Sequence, residues 1–159
     1  MHHLKTTAIA IVIVFSTAIS SAHAQSAPTH LMVKPDELKW APLPSLPCGA
    51  QAAVIEGPMN EAKPFIFRIK FPADCKIMPH WHPAIEHVTV VSGTFGMGAG
   101  DAHDPSKGMT LPVGAVAIMQ PNAHHFGWTT QETVVQIHGI GPWGITYVNP
   151  ADDPTKKTN

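Results

Sequence analysis

The residues of this chain best suited to chemistry are two histidines in a His-x-His pair and a nearby glutamate: His80-Trp81-His82, then Glu86 after the short link Pro83-Ala84-Ile85. In an extended strand alternate side chains share a face, so His80 and His82 point the same way. A tight proline-containing turn would bring Glu86 level with them on the partner strand of a hairpin. Two neutral imidazoles and a carboxylate suit a borderline divalent metal ion. A His-x-His pair alone carries little weight in a chain with eleven histidines; Glu86 and the glycine at 93 sharpen it. Other reactive groupings are sparse, with no Ser/His/Asp or Cys/His arrangement that would mark a nucleophile. His138 is the remaining candidate acid or base, as a proton shuttle or a donor to a ligand, and packing in the core accounts for it equally well.

Such groups need a frame of strands to hold them. Sixteen prolines and twelve glycines scattered along the chain disfavour long helices and suit short strands with turns. Phe65, Phe67, Ile69 and Phe71 alternate with Ile66, Arg68 and Lys70, the pattern of a half-buried strand. Residues 87–91, 113–119, 133–138 and 145–148 read as further strands. An all-β domain, sandwich or small barrel, follows. Trp128, Trp143, Phe95 and Phe126 are open between a pocket mouth and ordinary core packing, and Asp101 and His103 read as solvated loop residues. Ten Lys and Arg against eleven Asp and Glu leave no basic stripe for nucleic acid or a membrane surface.

The start of the chain reads differently. Lys5 precedes an apolar run over residues 8–19, and Ala22-His23-Ala24 offers small residues at the positions a signal peptidase reads. The run is short for a membrane span, which needs about 20 apolar residues. Residues 1–24 are therefore expected to be a secretory signal peptide cleaved before Gln25, giving a periplasmic or secreted protein. Residues 25–60 read as an N-terminal arm, Pro-rich up to Pro47, residues 61–150 as the β-domain, and residues 151–159 as a C-terminal tail. Cys48 and Cys75 are open between a disulfide and two thiols, because pairing needs geometry.

The spacing around these residues resembles the cupin superfamily. Its first motif runs His-x-His, three or four residues, Glu, six residues, Gly, which His80, His82, Glu86 and Gly93 match; Asp74 stands where the family has an earlier glycine. Its second motif runs Gly, five residues, Pro-x-Gly, two residues, His. Gly114, Gln120-Pro121-Asn122 and His125 keep that spacing, with Pro121 one position late and Asn122 in the glycine position. Asparagine tolerates the left-handed conformation that a turn glycine serves. Residues 138–143 are also similar to the C-terminal part of small bacterial cupins of unassigned activity.

The resemblance implies a jelly-roll β-barrel and one divalent metal ion (Fe, Mn, Zn, Cu or Ni, not distinguished) held by His80, His82, Glu86 and His125. By strand parity His124 and His87 then face away from it. Four ligands on an octahedral ion leave two positions open, a catalytic rather than a closed structural layout. The family includes dioxygenases, oxalate-degrading enzymes, isomerases and non-catalytic binders. The expectation is a metal-dependent, dioxygenase-like oxidoreductase acting on a small oxygenated or aromatic substrate. The alternatives are a non-redox hydrolase, lyase or isomerase, and a metabolite- or metal-binding protein without turnover. A homodimer paired through strand edges, with the arm covering an edge, completes the expectation.

Overall fold

The computed structural model describes residues 30–156, and the expected signal peptide lies outside them. The unit considered below is Val33–Asn159 within those residues. Its strands are, in chain order, β1 (Ala41–Pro42), β2 (Gln51–Glu56), β3 (Pro64–Phe71), β4 (Lys76–Trp81), β5 (Glu86–Ser92) and β6 (Phe95–Ala99). They continue with β7 (Met109–Leu111), β8 (Val116–Met119), β9 (His125–Trp128), β10 (Thr133–Ile140) and β11 (Thr146–Tyr147). Helical residues among the described ones occur only as three-residue 3₁₀ turns.

The strands form two antiparallel sheets, one ordered β1-β2-β3-β10-β5-β8 and the other β11-β4-β9-β6-β7. Burial alternates cleanly along β3, where Phe65, Phe67, Ile69 and Phe71 are buried and the residues between them are half-buried. Thr133, Val135 and Ile137 of β10 and Glu86, Val88 and Val90 of β5 face the same interior. Phe71 of the larger sheet stacks on Phe95 of the smaller one, with ring centroids 5.6 Å apart. The all-β jelly-roll expectation therefore holds. The barrel is not closed, because among the described residues no ladder joins an edge strand of one sheet to an edge strand of the other.

Two local expectations are corrected. The segment around the histidine pair is not a hairpin: β4 belongs to the smaller sheet and β5 to the larger, so residues 82–85 cross between sheets. Within residues 25–60, read as an arm, β2 is an integral strand, with Ala52 opposite Ile69 and Ala53 opposite Arg68. Its sequence QAAVIE lacks alternation because Ala52 and Ala53 are both buried. Ahead of it, Cys48 and Cys75 form a disulfide with Cα atoms 5.7 Å apart. That bridge and the Tyr147 hydroxyl, which donates to the Ser45 carbonyl at 3.0 Å, fasten the β1–β2 loop and bury Leu46.

Four motif positions share one backbone property. Asp74, Gly93, Gly114 and Asn122 all lie in the left-handed region, with φ of 56°, 74°, 85° and 61°. At Gly93 the constraint is doubled, since a Cβ there would sit 2.5 Å from the Glu132 carbonyl oxygen. The turn at Gly114 also delays β8, which begins at Val116 rather than at 113.

Candidate metal centre

His80 on β4 and His125 on β9 are direct cross-strand partners, with ring centroids 4.3 Å apart. A β-bulge makes this alignment. Between the pairs Ile77↔Gly127 and His80↔His125, β4 spends three residues and β9 two. Both Ile77 and His80 consequently face inward although they lie an odd number of residues apart. His82 follows at the end of β4, and Glu86 opens β5 on the opposing sheet. The four side chains meet between the two sheets, each at most 6 % exposed.

One ring nitrogen each of His80, His82 and His125 lies within 4.8 Å of the other two. The opposite nitrogens are tied down. His80 Nδ1 donates to the Met78 carbonyl at 2.7 Å, His82 Nδ1 to the Gly144 carbonyl at 2.6 Å, and His125 Nδ1 to the Ala123 carbonyl at 2.9 Å. An imidazole whose Nδ1–H is held by a carbonyl presents its Nε2 lone pair as a ligand, the usual arrangement of metal-bound histidine. Glu86 is oriented in the same manner. Its Oε1 accepts from the Trp143 indole N–H at 2.8 Å, while its Oε2 lies 3.2 Å from His82 Nε2 and 3.9 Å from His125 Nε2. Donors about 2.1 Å from a shared ion stand roughly 3 to 4 Å apart, so the two Glu86–histidine distances fit a shared divalent metal, and the histidine nitrogens, within 4.8 Å of one another, need only a small inward shift to join it.

The electrostatics favour the metal-binding form at three of the four groups, His82 being the exception. Burial holds His80 well below the usual histidine range, reinforced by His125 and His82. Burial also lowers His125, although the Ala123 carbonyl opposes it. For His82 burial acts downward, but the hydrogen bond and charge of Glu86 outweigh it and raise the group. Burial pushes Glu86 up, and the contacts from His82 and Trp143 overcome this and keep it below the carboxylate norm. Two imidazoles are thus held neutral and a carboxylate ionised, the forms in which they bind metal.

Beside the cluster lies a cavity of about 40 Å³, walled by aliphatic and aromatic side chains that include Leu46, Phe71, Phe95, Ile137 and Trp143. His138 does not reach it. With Val135 and Ile137 facing in, His138 faces out of the larger sheet, where its ring stacks on that of His87 at 4.8 Å. Both line a separate hollow on the sheet's outer face. His124 also points away, its Nδ1 on the Asp101 carboxylate at 2.5 Å. His103 packs against Phe126 instead of lying free in its loop.

Three supporting groups were not singled out by the sequence for these roles. Trp143 holds Glu86 and stacks on His82, with centroids 5.2 Å apart. Gly144 supplies a carbonyl, and Leu46 closes one wall. The segment carrying Trp143 is seated by Gly141 N–H on the Lys63 carbonyl and Trp143 N–H on the Met59 carbonyl. A lone tryptophan near a Gly-Pro turn gives no sequence signal of such a task.

No family model and no curated protein matches the sequence. Solved structures do match its fold. A candidate acetylacetone dioxygenase from Methylibium petroleiphilum PM1 superposes with a TM-score of 0.60 at 18 % identity, covering 82 % of this chain and 88 % of that one. The polyketide cyclase RemF from Streptomyces resistomycificus gives 0.60 at 13 % identity, covering 77 % and 88 %. An RmlC-like cupin from Shewanella frigidimarina NCIMB 400 gives 0.54 at 12 % identity, covering 67 % and 86 %. At such identities the likeness is one of fold, and that fold is the cupin.

Proposed function

We propose that this cupin-fold chain is a mononuclear metal enzyme with dioxygenase-like activity on a small oxygenated or aromatic molecule, working in the periplasm or outside the cell. The observation that carries the reading is the set of three histidines, each fixed at Nδ1 by a backbone carbonyl and converging with Glu86 beside an apolar cavity. His80, His82, Glu86 and His125 would hold the ion. A bound divalent metal supplies Lewis acidity and, if redox-active, a centre for dioxygen chemistry.

The chain's own residues do the rest. The backbone carbonyls of Met78, Ala123 and Gly144 keep each imidazole in one tautomer, and the Trp143 indole keeps Glu86 turned toward the cluster. The apolar wall excludes water, so charge developing beside it is not screened. The likeness to a candidate acetylacetone dioxygenase favours oxygen chemistry, while the likeness to a polyketide cyclase keeps a Lewis-acid reaction as the second reading. Location outside the cytosol is supported by the apolar run ahead of Ala22-His23-Ala24 and by the Cys48–Cys75 disulfide, a bond that persists in oxidising compartments.

The test is oxygen uptake by metal-loaded protein with phenolic and dicarbonyl substrates under ¹⁸O₂. Both labelled atoms are expected in the organic products. Turnover without oxygen consumption would transfer the assignment to the Lewis-acid class.

A further inference from the structure

The walls of the cavity restrict what can sit against the metal cluster. Its size, about 40 Å³, leaves room for only a few atoms unless side chains move. Apart from the histidines and Glu86, its lining among the described residues carries no charge, hydroxyl or carboxamide. The one other polar group is the Trp143 indole N–H, already given to Glu86. Backbone groups offer little, because strands β3, β4, β5, β6, β9 and β10, which form all of the wall but Leu46, His82 and Trp143, are paired in their sheets.

Any polar atom that a ligand presents to this wall would be buried without a partner, and burying an unpaired amide or charge is strongly unfavourable. Inside the cavity a ligand can satisfy its polar atoms at one place only, the cation held by the cluster. We infer that the substrate is a small molecule whose oxygens all lie together as a bidentate pair, with a short apolar body and no second charged or hydroxylated end. Sugars, sugar acids and zwitterions do not meet that description. The inference rests on the metal reading above and sharpens it.

Acetylacetone, malonate and malonamide test it, since they have one shape and differ only in carrying methyl, oxyanion or amino groups at both ends. Protein loaded with cobalt(II) is titrated under nitrogen with each, following the visible cobalt spectrum. The same titrations on aqueous cobalt(II) correct for intrinsic chelating strength. Relative to the aqueous ion, the protein is expected to favour acetylacetone over both isosteres by about tenfold or more, the order of effect of an unpaired buried polar group. An unchanged ratio, or a gain for malonate, overturns the inference.

A second arm locates the body of the ligand. Ile137→Val removes one methylene from the wall and is mild enough to preserve folding. It is expected to raise affinity for heptane-3,5-dione severalfold relative to acetylacetone, and no change in that ratio would count against the inference. Cobalt retention is measured first. If the protein does not hold cobalt, the metal reading itself fails and takes the inference with it. If cobalt is held while malonate is preferred, the substrate class alone falls.

Discussion

His82 and His125 differ from His87 and His124 not in type but in the side of the chain from which they project. The first pair is buried in the cluster; His87 lies on the outer face of the larger sheet and His124 on the Asp101 carboxylate. His82→Ala and His125→Ala are each expected to lower metal affinity by at least about 10–100-fold, the cost already typical of losing a mere supporting contact. His124→Ala and His87→Ala should leave metal content unchanged after dialysis against a weak chelator. Trp143→Phe is the subtler case, because it keeps a ring against His82 and removes only the donor to Glu86. Metal affinity is expected to fall by about 10–100-fold, and stability by roughly 1–3 kcal/mol from the unpaired carboxylate oxygen. Competition with a chromogenic chelator measures the first and urea unfolding the second. At this scale the sequence discloses what alternation and short spacing encode. His80, His82 and Glu86 stand out because they lie within seven residues, whereas Trp143 is joined to Glu86 only through the tertiary fold.

Among elements, the strands with clean alternation were legible and the irregular ones were not. β3 announces itself through four alternating apolar residues. β6, with glycines at 96 and 98, carries no such pattern because aromatic rings of β9 occupy the space where its side chains would be, and β9 is only four residues long. A Cβ on Gly96 would fall inside the Trp128 ring and one on Gly98 inside the Phe126 ring. The crossing of residues 82–85 between sheets was equally hidden, since a short proline-containing link serves a hairpin or a crossover. The Cys48–Cys75 bridge spans 27 residues and fastens the loop that contributes Leu46 to the cavity. Chain-entropy accounting for a loop of that size gives about 3–4 kcal/mol. Cys48→Ser with Cys75→Ser is expected to lower the unfolding free energy by roughly that amount, read from urea denaturation beside the oxidised parent. Because Leu46 is held by this loop and the metal residues are not, the variant should keep its metal while losing discrimination among cavity ligands.

On the scale of the whole molecule, the larger sheet presents an outer face that is apolar at one end. Val116 and Ile118 on the edge strand β8 and Ile140 on β10 are each more than half exposed there, beside His87 and His138. Apolar surface grouped in this way, next to an unpaired strand edge, is the usual footing for a symmetric partner. We expect a homodimer with twice the chain mass by light scattering at micromolar concentration, and Ile118→Asp should return it to a monomer without loss of metal. A monomeric parent would remove this expectation and leave the metal site as described. The position of Trp143 has one more consequence, and it is optical. Of the four tryptophans in the chain, this is the one whose indole stacks on His82 and donates to Glu86. An open-shell ion such as copper(II) seated in the cluster should therefore darken its emission strongly, and the difference between parent and Trp143→Phe, both measured with the ion at saturation, isolates that signal. The protein carries its own fluorescent gauge of occupancy, readable without label, substrate or turnover.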